Sequence, residues 1–298
     1  MTSRALYADV MLGTDIFDSI VLAAEANDDG RRASAKSQQR TVVLRFDGRR
    51  FHGASEIAYP LQRGWSSSRG AAYCCAINGN VIYVLERGGW RTEKFGKGPE
   101  KVSAISGVCE DGVDTIYVCG ERALYVGSAG KWVRRPAPKP VDALNGVAAL
   151  SSKEVYVATD LGLLLWEGTR FQELAEPAPE GVAAVAVAKG RVYAGDRRLL
   201  RWAEGSGWTE VEPRIPDVMA LLELDGNVIV GTYEGGLLES RGDAFVQATT
   251  PFTCRALQRI GVGAFAAGRD QSFVRSSDRW QVLSLPTCPA DGLPADQA

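Results

Sequence analysis

The stretch VDALNGVAALSSKEVYVATDLGLLLWEGTRF, residues 141–171, decides the fold. It holds an apolar segment, a second segment of β-branched and aromatic residues that ends in small residues and a charge (VYVATD), a third (LLLW), a Gly-containing turn, and an aromatic residue that opens a fourth. Segments of four to eight residues rich in Val, Ile, Tyr and Leu and bounded by Gly, Asp, Asn and Ser read as short strands, and no helical period competes with them.

Six other segments overlay on this one. The aromatic after the turn recurs as Phe51, Trp90, Trp132, Phe171, Trp208, Phe245 and Trp280, at spacings of 39, 42, 39, 37, 37 and 35 residues. The second strands align as SIVLAAE (19–25), AAYCCAI (71–77), TIYVCGE (115–121), VYVATD (155–160), RVYAGD (191–196), VIVGTY (228–233) and AFAAGR (264–269). Bulky residues lead and Ala, Gly, Thr or Cys follow, as suits a strand running toward a crowded centre. A repeat of this length with four short strands marks a propeller blade, and radial closure spares so many short strands an exposed edge. The expected fold is therefore all-β: a seven-bladed β-propeller of four-stranded antiparallel blades, with six or eight blades as the alternatives. It is expected to form a single domain over residues 1–286.

The first strand of the first two units is read at 5–12 and 56–62, and residues 2–12 alternatively serve the last blade. A polar insertion at 26–40, locally basic through Arg31, Arg32, Lys36 and Arg40, reads as a mobile loop. The Pro-, Ala- and Asp-rich stretch 287–298 reads as a disordered tail.

Composition narrows the function. Apolar residues make up 45% and charged residues 23% of the 298, an ordinary globular balance. A net charge of -2 offers no basic field for nucleic acid or anionic lipid. No stretch approaches the roughly 18 apolar residues of a membrane helix, and no signal peptide is read at the N-terminus. The six cysteines include no C-x-x-C pair and lie mostly in apolar strand patterns, so they read as buried reduced thiols, and the expected compartment is the cytoplasm of a bacterium. With His52 as its one histidine, directly after an outer-strand aromatic, the chain offers neither a His-based metal centre nor a Ser-His-Asp arrangement near the axis. No cofactor is expected. Calcium held by loop carboxylates at the ring centre stays open, without an EF-hand-like spacing behind it.

The recurring V-x-[AGC]-[GT] strand end, charged turn, apolar strand and aromatic resemble bacterial propellers of the BNR and photosystem assembly-factor-like superfamily. The Asp-box of that class, S-x-D-x-G-x-x-W, is echoed by Ser128, Gly130 and Trp132 and by Ser277, Asp278 and Trp280, and no box is complete. The resemblance implies a fold and no particular activity.

The loops joining second to third strands emerge on one face of a propeller. Here they carry Glu25, Glu121, Arg122, Asp160, Asp196, Arg197, Arg198, Glu234, Arg269 and Asp270, while the second unit has Asn78 and Asn80 instead. Mixed signs at one point of six units suit a protein partner better than a polyanion. The expected function is a non-catalytic interaction or regulatory module, monomeric by itself, that binds a protein through this face. The alternative is a glycosidase- or lactonase-like hydrolase with paired carboxylates in the central cup.

Overall fold

A computed structural model describes residues 3–4, 6–16, 18–25, 40–86, 89–174, 181–203, 207–211, 213–268, 271–276, 278–286 and 288–289. It is a seven-bladed propeller. Blade 1 is built from Leu6–Asp15, Asp18–Glu25, Thr41–Phe46 and Phe51–Ile57, and blade 2 from Arg63–Ser66, Ala72–Cys75, Val81–Glu86 and Gly89–Lys94. Blade 3 is Ala104–Glu110, Val113–Cys119, Ala123–Ser128 and Lys131–Pro136; blade 4 is Leu144–Ser151, Glu154–Thr159, Gly162–Trp166 and Phe171–Glu173. Blade 5 is Ala184–Ala188, Arg191–Gly195, Leu199–Ala203 and Gly207–Glu210, and blade 6 is Val218–Leu224, Asn227–Thr232, Leu237–Arg241 and Ala244–Gln247. Blade 7 is Cys254–Ile260, Gly263–Gly268, Ser272–Ser276 and Arg279–Val282. Every blade is antiparallel and contiguous in sequence, and the first strands of neighbouring blades pack against each other around the axis.

The N-terminal ambiguity resolves in favour of blade 1, whose innermost strand is Leu6–Asp15. Among the described residues no strand is exchanged between the first and last blades; instead Ser3–Arg4, ahead of blade 1, pairs with Cys288–Pro289, after blade 7. Residues 26–39 of the insertion and residues 287 and 290–298 of the tail lie outside the described residues.

The innermost strand of blade 2 differs from expectation. It is Arg63–Ser66, and the stretch read as that strand supplies instead the end of the outer strand of blade 1 and a turn through Tyr59 and Pro60. The strand RGWS has one large apolar residue, so it shows no apolar run. Its Gly64 is required sterically: a Cβ there would lie 2.6 Å from Val10 Cγ1 and 2.8 Å from Leu12 Cδ2.

The core is seven layers, one between each pair of blades. Blade 2 and blade 3, for example, share a cluster of Tyr73, Ile82, Val84 and Phe95 with Ile116, Val118 and Tyr125. All seven marker aromatics pack into the layer shared with the preceding blade, from Phe51 against the blade 7 layer to Trp280 against the blade 6 layer. They are structural wedges.

The small residues that end the second strands are explained by the next blade. A Cβ on Gly195 would stand 2.4 Å from Val218 Cγ1, and one on Gly231 would stand 2.4 Å from Cys254 Sγ and 2.8 Å from its Cβ. Neither neighbour has room to move, because Val218 and Cys254 are buried on the innermost strands of blades 6 and 7. Gly231→Val is expected to cost about 1–3 kcal/mol as an overpacking change, read as a lowered thermal midpoint. An unchanged midpoint would mean that the two blades do not meet there.

Cys74, Cys75, Cys119 and Cys254 are free and buried in these layers. Burial pushes the thiols of Cys75 and Cys254 up to about 12, which removes thiolate character at neutral pH. The axis itself is tied across: Gln258 Nε2 donates to Gly64 O at 2.7 Å, and Met11 N donates to Gln258 Oε1 at 3.0 Å, linking blade 7 to blades 2 and 1.

Candidate binding face

The loops between second and third strands share one end of the ring with the segments that lead into each innermost strand. These loops grip the next blade through their backbones. Leu144 N donates to Glu121 O, Asp217 N to Arg197 O, and Val218 N to Asp196 O at 2.6 Å. Part of the loop charge is used in the same way. Asp160 accepts from the N–H groups of Asp142 (3.2 Å) and Ala143 (3.1 Å), so its carboxylate organises the lead-in to its own blade. Arg122 pairs with Asp142 at 2.9 Å, and Arg198 pairs with Glu210 at 2.8 Å, where Arg214 joins at 3.5 Å.

The side chains of Glu121, Asp196, Arg197 and Glu234 are exposed and make no ion pair among the described residues. Arg269 and Asp270 lie outside the described residues, as does the side chain of Glu25. The structure divides the charges expected on this face: Asp160, Arg122 and Arg198 are held by neighbours, while Glu121, Asp196, Arg197 and Glu234 make no ion pair among the described residues. Three apolar side chains escaped that reading because they lack a charge to mark them. Leu161 and Tyr233, on the same loops, are 52% and 49% exposed, and Met219, at the start of the blade 6 innermost strand, is 43% exposed.

The opposite face carries a groove of about 1090 Å³ that surrounds the end of blade 2 and touches blades 1 and 3. Its charges are mostly engaged. Arg91 bridges Glu86 (3.1 Å) and Glu93, and Glu93 also accepts from Trp132 Nε1 at 2.8 Å. Asp114, on the second strand of blade 3, accepts from Ser67 Oγ at 2.5 Å and Tyr73 OH at 2.9 Å, both from blade 2. Burial, then the bond to Asp114, raises the Tyr73 phenol far above its ordinary value. Carboxylates committed to an arginine, an indole and two hydroxyls hold blades together and do not form a free acid–base pair.

His52 lies on the outermost strand of blade 1 and hydrogen-bonds Asp47 at 2.5 Å, with its side chain 57% exposed. That bond, with the N–H groups of Arg50 and Arg49, holds the Asp47 carboxyl well below the usual carboxylate range. Among the described residues no three His, Cys, Asp or Glu side chains are grouped to hold a metal ion, and no helix is long and apolar enough to cross a membrane.

The blades, the axial ring of first strands and the loop face define the chain as a seven-bladed β-propeller. No protein-family model and no curated protein matches the sequence. Solved structures do match. A streptogramin B lyase is similar at 10% identity over 95% of both chains, with a TM-score of 0.66. The WD40 β-propeller domain of Doa1 is similar at 12% identity over 92% of this chain and 93% of that one, TM-score 0.66. A BBS1N chain solved in complex with ARL6DN is similar at 13% identity over 98% and 93%, TM-score 0.64. At these identities the likeness is one of fold.

Proposed function

We propose that this single propeller domain is a non-catalytic interaction or regulatory module that receives a protein partner, in the cytoplasm, on the face formed by the loops between second and third strands. One observation carries the reading. Leu161, Met219 and Tyr233 stand exposed on the same end of the ring as the side chains of Glu121, Asp196, Arg197 and Glu234, which make no ion pair among the described residues. Exposed apolar side chains also stand at the opposite end, but there the charges are mostly engaged, and apolar side chains mixed with available charges of both signs suit a protein contact. Within the same proposal, the repeat pattern of the sequence supports a kinship with the BNR and photosystem assembly-factor-like propellers.

The fold alone does not choose between binding and catalysis, since the similar structures include both a lyase and WD40 domains. The residues favour binding: Asp160 is occupied by two backbone N–H groups.

Arg197→Glu is the clean test, because Arg197 pairs with no carboxylate among the described residues whereas Arg198 would also lose Glu210. Capture of the partner recovered by affinity purification is expected to weaken at least about tenfold, on the scale of a reversed interface charge, with an unchanged melting curve. Undiminished capture would overturn the choice of face.

A further inference from the structure

In every blade two consecutive residues, within the innermost strand or at its entry, stand opposite one residue of the second strand, near the end that carries the loop face. In blades 1, 4, 6 and 7 this is a register shift, which leaves Asp9, Asn145, Met219 and Arg255 as the extra residues. In blades 2, 3 and 5 the N–H groups of Gln62, Ser103 and Ala183 bond the carbonyls of Cys75, Cys119 and Gly195, whose register partners are the residues that follow. A bulge of this kind re-aims a side chain. Repeated at the start of all seven innermost strands, it forms a ring around the axis at the loop face.

Three hydrogen bonds run from blade to blade around half of that ring. Arg63 Nε donates to Ser103 O at 2.8 Å, Ser103 Oγ to Leu144 O at 2.5 Å, and Asn145 Nδ2 to Val182 O at 2.9 Å. The run stops at blade 5, where Ala183 has no donor, and the next two positions are the exposed Met219 and Arg255. Further along these strands the tie from Gln258 to Gly64 joins blade 7 to blade 2 past blade 1. Arg255 lies three residues before one end of this tie and Arg63 one residue before the other, so both stand on its loop-face side.

Neither arginine has a counter-charge among the described residues. Arg255 is exposed and makes no hydrogen bond there, and Arg63 is half-buried, bonded to the Ser103 and Gln62 carbonyls, with its Nη2 unengaged. The surrounding protein desolvates Arg63 and lowers its pKa. A cation enclosed in this way without an anion is costly to leave alone, and a guanidinium fork matches a carboxylate.

We propose that the axial mouth receives a carboxylate, bound by Arg255 and Arg63 with Met219 against the attached carbon chain. The exposed Asp196 and Glu234 on the same end oppose a dianion, which selects a singly charged carboxylate over phosphate. The inference rests on the loop face being the working face, and the carboxylate is either an acidic side chain of the partner or a free one.

The test is a titration of the full chain followed by NMR at the arginine Nε–H groups. The probes are an acetylated, amidated tetrapeptide with one glutamate, free butyrate as a singly charged carboxylate, and inorganic phosphate. Saturable shifts at Arg255 and Arg63, weakened about tenfold or more by Arg255→Gln, are expected for a lost charge-assisted contact; Arg255 is exposed, so the variant keeps its fold. Tighter binding of the peptide points to a partner's side chain and tighter binding of butyrate to a free carboxylate. Phosphate binding without either carboxylate, or no shift at either arginine, overturns the proposal. Silent arginines with capture lost in Arg197→Glu would sink the carboxylate and keep the face; saturable shifts with capture intact in that variant would do the reverse.

Discussion

Trp132→Ala is expected to lower stability by about 3–5 kcal/mol, the range for emptying an aromatic site in a core, without selectively abolishing partner capture. The indole fills the layer between blades 2 and 3, with Phe95 at 5.7 Å between ring centroids. Gly127 lies directly beneath it, where a Cβ would come within 2.6 Å of the ring. Its N–H also satisfies Glu93 at 2.8 Å. Trp132→Phe loses that bond and only part of the ring volume, so it should cost less than the alanine variant, about 1–3 kcal/mol. Thermal melts of both variants check the order. A normal midpoint with lost capture would make Trp132 a contact residue and defeat its assignment as a wedge.

The second large effect is expected at Asp114. Asp114→Ala strands the Ser67 and Tyr73 hydroxyls, which are 1% and 7% exposed. Leaving a buried hydroxyl unpaired costs about 1–3 kcal/mol for each group, so urea unfolding should show a loss of several kcal/mol. Asp114→Asn retains an acceptor oxygen and should recover part of it. If the two variants unfold alike and near wild type, blades 2 and 3 are not joined through this carboxylate.

The repeat was legible because its signals are local. Each marker aromatic follows its turn within a few residues, and the small residues ending each second strand record the crowding by the next blade. Arg63–Ser66 was illegible for the opposite reason: its glycine is dictated by Val10 and Leu12, more than fifty residues earlier. The charges of the loop face were legible as a set, since polar turns recur at one point of the repeat. Which of them are free was not. Asp160 is spent on the N–H groups of Asp142 and Ala143, and Arg198 on Glu210, pairings that depend on how the outer strand returns to the axis. The interblade trio of Asp114, Ser67 and Tyr73 joins residues 41 and 47 positions apart and leaves no mark in the pattern. The axial ring was hidden likewise, because a bulge changes register without changing composition.

Site-specific photo-crosslinking tests the choice of working face most directly. A photoreactive phenylalanine analogue would replace, one at a time, Leu161 or Tyr233 on the loop face and Val262, 76% exposed on the turn between the first two strands of blade 7 at the opposite end. Crosslinks to the partner from positions 161 and 233, with none from 262, are the predicted result. Crosslinks from 262 alone would contradict it and move the partner to the other face of the ring.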